Sequence, residues 1–477
     1  MGRAVVRATA ERADVRAGAL RSRLFMPALP VGATARLALC ACLALLGTRA
    51  GAQTAGTPRP DATPAAQLSA VDTVGGTSWS PATAMPGLHT QRRAWDAMLH
   101  GSAFVQALAE SGSPHYASRG VSSVNWVMAT LSRPLGRGRV SARFMGSAEP
   151  WTVRNCGYPD LLATGEQCRG DSLHDRQHPH DLVMELAAVL DHPLTRSTRF
   201  QLYAGPAGEP ALGPTTFLHR LSAAANPVAP VTHHWLDSSH VSFGVVTAAV
   251  YGSHWKVDAS AFNGREPDER RYNVESARLD SWSGRVSVAP SSRVVLQLSG
   301  GHLREAEAGL GSLPRQDVTR VTASMSSVHA WRQTRTVATS VAYGARWGLS
   351  TVGVERLQQA SHALLLESSL TARGGDTWFA RAELVGKPAH DLHADEFAPA
   401  VFTVGKVQAG YVRPLVSRAG MTTALGVSLS AALLPSPLAP RYDGRVAPGA
   451  GLFLRVSPAA GHGRPAHEHA SAGMHSP

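Results

Sequence analysis

His174-Asp175-Arg176-Gln177-His178-Pro179-His180-Asp181 puts three imidazoles and two carboxylates within eight residues. Neutral histidine and carboxylate suit zinc and copper, so His174, His178 and His180 are candidate metal ligands. Their spacing fixes no coordination geometry, and the same residues could form an ion-paired, hydrogen-bonded network that pins a loop. A second group stands at Thr232-His233-His234-Trp235-Leu236-Asp237-Ser238-Ser239-His240, preceded by Gly208-Glu209-Pro210 and His219-Arg220. Its Gly, Pro and Ala residues argue against a strand, and its apolar content argues against a fully solvated loop. Residues 206–238 are therefore expected to fold inward and narrow a lumen. That would bring His233, His234 and His240 toward His178 and His180; a buried network that only shapes the loop is the alternative.

Other stretches carry weaker chemistry. Phe262-Asn263-Gly264-Arg265-Glu266-Pro267-Asp268-Glu269-Arg270-Arg271 combines turn residues with charges of both signs, and mixed charge sets no preference for anions or cations. The C-terminal His462, His467, Glu468, His469, Met474 and His475 join imidazole to thioether, a pairing that suits copper, with Met favouring Cu(I) and His Cu(II). Composition alone could also produce such a tail. Ser222, Ser238 and Ser239 could be nucleophiles with His219 or His240 as base, but no Gly-x-Ser-x-Gly pattern supports them. A nucleophile needs its base within hydrogen-bond reach and a third group to orient it. No enzyme is expected.

The elements that must position these residues follow from the rhythm of the chain. From about 95 to 457, period-two segments are joined in turn by tight connections and long polar ones. The tight ones include Leu135-Gly138, Gly252-Ser253, Pro290-Ser292, Arg373-Gly375 and Leu415-Arg418. The long ones fall around 150–179, 206–238, 265–275, 304–316, 346–360, 388–401 and 435–448. A closed up-and-down barrel across an outer membrane has this asymmetry, with short turns in the periplasm and long loops outside.

Strand faces agree. Trp255, Val257, Ala259 and Ala261 oppose His254, Lys256, Asp258 and Ser260; Trp378, Ala380, Ala382 and Leu384 oppose Arg381 and Glu383. Arg or Lys facing hydrocarbon costs about 2–4 kcal/mol at midplane. His254, Lys256, Asp258, Arg381 and Glu383 are thus expected to face the lumen. The spacing predicts an all-β, closed antiparallel barrel of about sixteen strands, with fourteen to eighteen as the range.

Beyond the barrel, Arg36 precedes an apolar run from Leu37 to Gly47 and a small-x-small site at Ala50-Gly51-Ala52, which reads as an export leader over residues 1–52. Met26 is an alternative start. Residues 53–94 read as a flexible periplasmic lead-in, 95–457 as the barrel and 458–477 as a His-rich disordered tail. The net charge of +12 weakens on inspection: eight of 46 basic and two of 34 acidic residues lie in 1–52, leaving a balance of +6. A nucleic-acid partner is not expected; outer-membrane lipid and a small solute or metal ion are. Cys156 and Cys168, left after the leader, are expected to pair in an oxidising compartment, closing a loop for about 3 kcal/mol.

With Gly451-Leu452-Phe453-Leu454-Arg455-Val456 as a final strand of Gly and alternating hydrophobics, the chain resembles Gram-negative outer-membrane porin-like barrels. The Met and His tail is similar, more weakly, to copper-resistance outer-membrane barrels. The resemblance implies an outer-membrane location. The leading expectation is a passive or gated channel for small solutes or ions, tied to copper, zinc or another transition metal. The alternative is a non-conducting metal-binding barrel plugged by residues 206–238, and an outer-membrane lipid hydrolase is the weakest reading.

Overall fold

Strand Thr377–Pro388 shows what organises the molecule: Trp378 and Leu384 point outward and are exposed, while Phe379, Arg381 and Glu383 point inward and are buried. Side chains alternate across a strand, so one face can be apolar for lipid and the other polar. The computed structural model describes residues 71–73, 75–81, 86–112, 119–275, 278–307, 315–331, 335–352 and 355–459. Sixteen antiparallel strands, from Trp95–Glu110 to Val446–Pro458, close into one barrel. Outward positions such as Val105, Val121, Leu298, Leu429 and Leu452 form an exposed apolar belt. Trp95, Trp255 and Trp378, each just after a tight turn, are exposed near one rim, as in the aromatic girdle of membrane barrels.

Tight turns at 93–94, 136–137, 252–254, 373–376 and 419–420 gather at one end, the periplasmic one by the loop-length rule. Long connections at 147–182, 209–241, 264–280, 389–400 and 434–445 gather at the other. One expected long connection is absent. Strands Arg335–Val352 and Glu355–Ala372 pair without interruption from Arg335↔Ala372 to Val352↔Glu355, so residues 346–360 are mostly ladder. The last tight turn also comes later than expected, after Arg418, because a bulge between Pro414 and Val416 lets that strand run on.

The seam is composite. Strand Trp95–Glu110 pairs through Ala103–Glu110 with the final strand, at Gly449–Val456, and through Trp95–His100 with a short strand, Gly87–Arg92. Residues 86–94 are therefore wall. Within the expected lead-in, Val71–Thr73 and Trp79–Pro81 also form a two-stranded sheet. The expected flexible lead-in does not hold for these described residues, because their backbone groups are taken up in ladders. The leader over 1–52 and the tail, with His462, His467, His469 and His475, lie outside the described residues.

Candidate functional site

Three inserted segments fill the lumen. Between strands Arg199–Gly208 and Ser242–Tyr251 the chain leaves the wall, and residues 209–241 turn inward, buried throughout except for half-buried Leu221, Ala224 and Ser238. Charge fixes this loop to the wall. Arg220 pairs with Glu367 at 2.6 Å and with Asp237 at 2.5 Å, and Arg381 shares Glu367 at 3.2 Å. Thr232 donates its hydroxyl to Glu383 at 2.7 Å, and Asn226 donates to Gln408 at 2.6 Å. The Trp235 ring carries both Arg346 and Lys387 as cation–π partners, at 4.1 and 4.7 Å from its centroid. Arg381 and Glu383 thus lie on the inner face, where both meet the inserted loop.

A second insertion comes from the N-terminal side. Residues 75–81 are buried apart from half-buried Ser80. Asp258 accepts from the Thr77 hydroxyl at 2.9 Å, Glu209 accepts from the Ser78 hydroxyl at 2.8 Å, and Arg285 donates to both hydroxyl oxygens at 2.7 Å. Lys256 donates to the Thr77 carbonyl at 2.7 Å, and Arg143 to the Gly76 carbonyl. Lys256 and Asp258 lie buried on the inner face, against this segment. His254 does not: it sits exposed in the tight turn before Trp255, one residue outside the strand.

A third insertion is a hairpin, Tyr158–Cys168 with Asp171–Gln177, inside what the sequence presents as a plain loop. Lys406 donates to Asp160 at 2.6 Å and Lys387 to Thr164 at 2.6 Å. All three lysines of the chain, Lys256, Lys387 and Lys406, therefore hold inserted segments. Cys156 and Cys168 are bonded across this hairpin, with Cα atoms 5.7 Å apart.

The insertions bring five of the candidate histidines together. Ring centroids run His178 to His180 at 6.5 Å, His180 to His240 at 5.3 Å, His240 to His233 at 5.1 Å, His233 to His234 at 5.5 Å and His234 to His178 at 6.3 Å. The circuit closes on itself, and Phe217 packs against His180, His233 and His240 from one side. Each Nδ1 is tied to an oxygen acceptor: the Pro179 carbonyl for His178, Glu149 for His180, Asp237 for His233, Glu266 for His234 and the Asp237 carbonyl for His240. Buried Nε2 atoms of His180, His234 and His240 have no hydrogen-bond partner. Gly165 lies against the His234 ring at φ +111°, where a Cβ would come within 2.2 Å of Cε1.

Burial pushes His178 and His240 well below the usual imidazole range, and lowers His233 against the pull of Asp237. Burial acts on His180 too, but the Glu149 carboxylate outweighs it and raises that group. Among the described residues no three His, Cys, Asp or Glu groups stand as a ready-made ligand set. His174 belongs elsewhere: on strand Asp171–Gln177 its ring meets that of His393 in a tilted contact, with centroids 3.8 Å apart.

His178 also lines a cavity of about 650 Å³ between the outer loops, with Pro150, Cys156, Cys168, Arg271 and Tyr272. Cavities found deeper, among the insertions, hold about 10–20 Å³. Ser222 is bonded to Glu367 and Ser340, and Ser238 to Arg320. Neither forms a nucleophile–base pair with a histidine.

No family model matches the chain, and no curated protein matches it in sequence. Several solved structures resemble it. An anion-selective porin from Comamonas acidovorans is 11% identical, covering 76% of this chain and 99% of its own, with a TM-score of 0.48. The outer membrane channel DcaP of Acinetobacter baumannii is 9% identical over 78% of this chain and 100% of its own, TM-score 0.43. OprB of Pseudomonas putida is 9% identical over 76% and 94%, TM-score 0.46. The likeness is one of fold. The apolar belt, the closed ladder and the buried charged interior define a transmembrane β-barrel of the outer-membrane type.

Proposed function

We propose that this protein is a gated outer-membrane barrel, shut at rest by residues 209–241, that takes a divalent transition-metal ion such as zinc or copper into the ring of five histidines. The carrying observation is the ring itself: five buried imidazoles, each with Nδ1 held by an oxygen acceptor, three of them with a bare Nε2. Histidines that bind metals commonly donate their other ring N–H to a carboxylate or carbonyl, which fixes the tautomer and aims the free nitrogen. Two imidazoles on one tetrahedral ion have centroids about 5 Å apart, from metal–nitrogen distances near 2 Å. The three shortest ring spacings, 5.1–5.5 Å, match that scale. Loading then requires only that rings turn toward a common centre. The cavity bordered by His178 supplies a route from outside.

In this reading the barrel is closed at rest by residues 209–241, buried within it, with cavities of about 10–20 Å³ beside them. Passage of a solute requires the loop to move. Titration of the detergent-solubilised protein with Zn(II) and Cu(II), with His180→Phe and His240→Phe beside it, tests the metal reading. The expected result is saturable binding that weakens 10–100-fold in either variant. Absence of binding by the parent chain, or equal binding by both variants, removes it. Bilayer recording tests the gate: the resting protein is expected to be silent, and steady conductance without any trigger defeats that part.

A further inference from the structure

On the other side of Phe217 from the ring lies a second group with different chemistry. His100 on strand Trp95–Glu110, Met128 on Arg119–Leu135 and Met145 on Gly138–Gly146 are successive cross-strand partners, His100↔Met128 and Met128↔Met145. Directly paired residues share a face and place their Cβ atoms about 5 Å apart, so an imidazole and two thioethers stand in one row on the inner wall. His100 is 1% exposed, Met128 0% and Met145 4%. His219 of the inward loop covers the row, its ring 5.4 Å from His100, with Trp126 in contact with both rings. Phe217, Leu218 and Met184 complete the surrounding apolar cluster.

The polar atoms in this apolar place are not satisfied. Both ring nitrogens of His100 and Nδ1 of His219 are buried and have no hydrogen-bond partner. An unpaired buried donor or acceptor is destabilising, and native proteins leave few of them without a ligand, ion or water. Packing accounts for the methionines and Trp126, since thioethers pack well on aromatic rings. It does not account for an imidazole with two bare nitrogens on the same row.

We propose that His100, His219, Met128 and Met145 form a second site, for a soft monovalent cation such as Cu(I) or Ag(I). Thioether with imidazole is a donor set that selects Cu(I) over harder divalent ions. Charge points the same way: the carboxylate next along the row, Glu185, is occupied by Arg143 at 3.8 Å and by the Tyr203 hydroxyl at 2.9 Å. The site thus offers neutral donors and no free anion, which disfavours a doubly charged guest. It shares no ligand with the five-histidine ring and stands or falls separately from the divalent reading.

The test is an anaerobic titration of the full detergent-solubilised chain with Cu(I) against a chromogenic Cu(I) chelator, repeated with Ag(I). Met for Leu conserves volume and is tolerated in cores, so Met128→Leu/Met145→Leu is expected to keep its heat-modifiable migration while losing one Cu(I) equivalent or at least tenfold in affinity. Zn(II) binding by that variant is expected to stay at the parent value. His240→Phe is expected to keep the Cu(I) equivalent. X-ray absorption on the Cu(I)-loaded parent chain reads the site without any substitution, through sulfur scattering from the two thioethers. A parent chain that binds no Cu(I), a loaded form with no copper–sulfur scattering, or unchanged Cu(I) binding in the double variant overturns the proposal.

Discussion

The loop at 209–241 and the segment at 75–81 occupy the same lumen but are held by different forces. The loop is tied at both ends to the wall and carries its own charges, Arg220 and Asp237, into a buried network with Glu367 and Arg381. The segment brings no charge. It offers hydroxyls and carbonyls at Gly76, Thr77 and Ser78 to charges already on the wall and loop. Hydrogen bonds to charged groups contribute about 1.5–3 kcal/mol each, whereas stripping one partner from a buried ion pair costs about 3–5 kcal/mol. The loop is therefore the structural closure and the segment the releasable one.

Removing residues 213–238 behind a short linker is the strongest challenge to that division. It is expected to turn a silent barrel into a conducting one in planar bilayers, whereas removing 71–81 alone leaves it silent. Conductance from the second deletion and none from the first would reverse the roles. Next in size is Glu367→Ala, which leaves Arg220 and Arg381 without their shared carboxylate. A loss of about 3–5 kcal/mol is expected, read as a lower temperature for the heat-modifiable transition; a change within error would mean that water or another anion takes the place of Glu367.

Thr77→Val with Ser78→Ala removes only hydroxyls. Each is expected to weaken docking of the segment by about 1.5 kcal/mol or more, speeding protease cleavage between 71 and 86 by at least about tenfold while the barrel stays folded. Equal cleavage in variant and parent would show that Trp79, packed on Ala289 and Val295, does the holding instead.

The smallest effect is one of pH. Burial pushes the Glu209 carboxyl up from 4.5 to about 7, with Glu185 and Asp237 adding to it and Arg285 and Ser78 opposing. Docked, it keeps a proton at pH values where a solvated glutamate has lost one. Its contribution to docking is complete below about 4.5 and is lost as pH rises through about 7. Cleavage of the segment should accelerate across that window, and Glu209→Gln should flatten the profile. A parent profile already flat would assign the docking to other groups.

Much of this was legible in sequence because a membrane leaves little choice. Lys256, Asp258, Arg381 and Glu383 could not face hydrocarbon, so the alternation gave the faces, and loop lengths gave the orientation. The five histidines were recognisable for a different reason: a Gly- and Pro-rich stretch too apolar for solvent had to go inside and carry His233, His234 and His240 with it. Residues 75–81 were illegible because their anchors are hydroxyls and backbone carbonyls, which leave no periodic trace in an Ala-, Thr- and Pro-rich stretch. His254 failed by a single residue at a turn, where period-two reasoning cannot tell the end of a strand. His174 failed because it sits inside the hairpin strand Asp171–Gln177, which carries it to His393, whereas His178 lies just past the end of that strand. His100, Met128 and Met145 lie far apart in sequence, and only the cross-strand register makes them neighbours.

The composite seam has a consequence for how the chain completes itself. Gly87 takes up pairing at His100, below the point where the final strand leaves the shared strand at Ala103. Two pieces from opposite ends of the chain thus lie nearly end to end along one side of strand Trp95–Glu110. A chain starting at Trp95 would present about six residues of unpaired backbone near the periplasmic rim, the kind of edge that captures any extended segment within reach. Residues 87–92 act as the molecule's own edge guard, and the same stretch that finishes the wall leads back to the piece that fills the lumen.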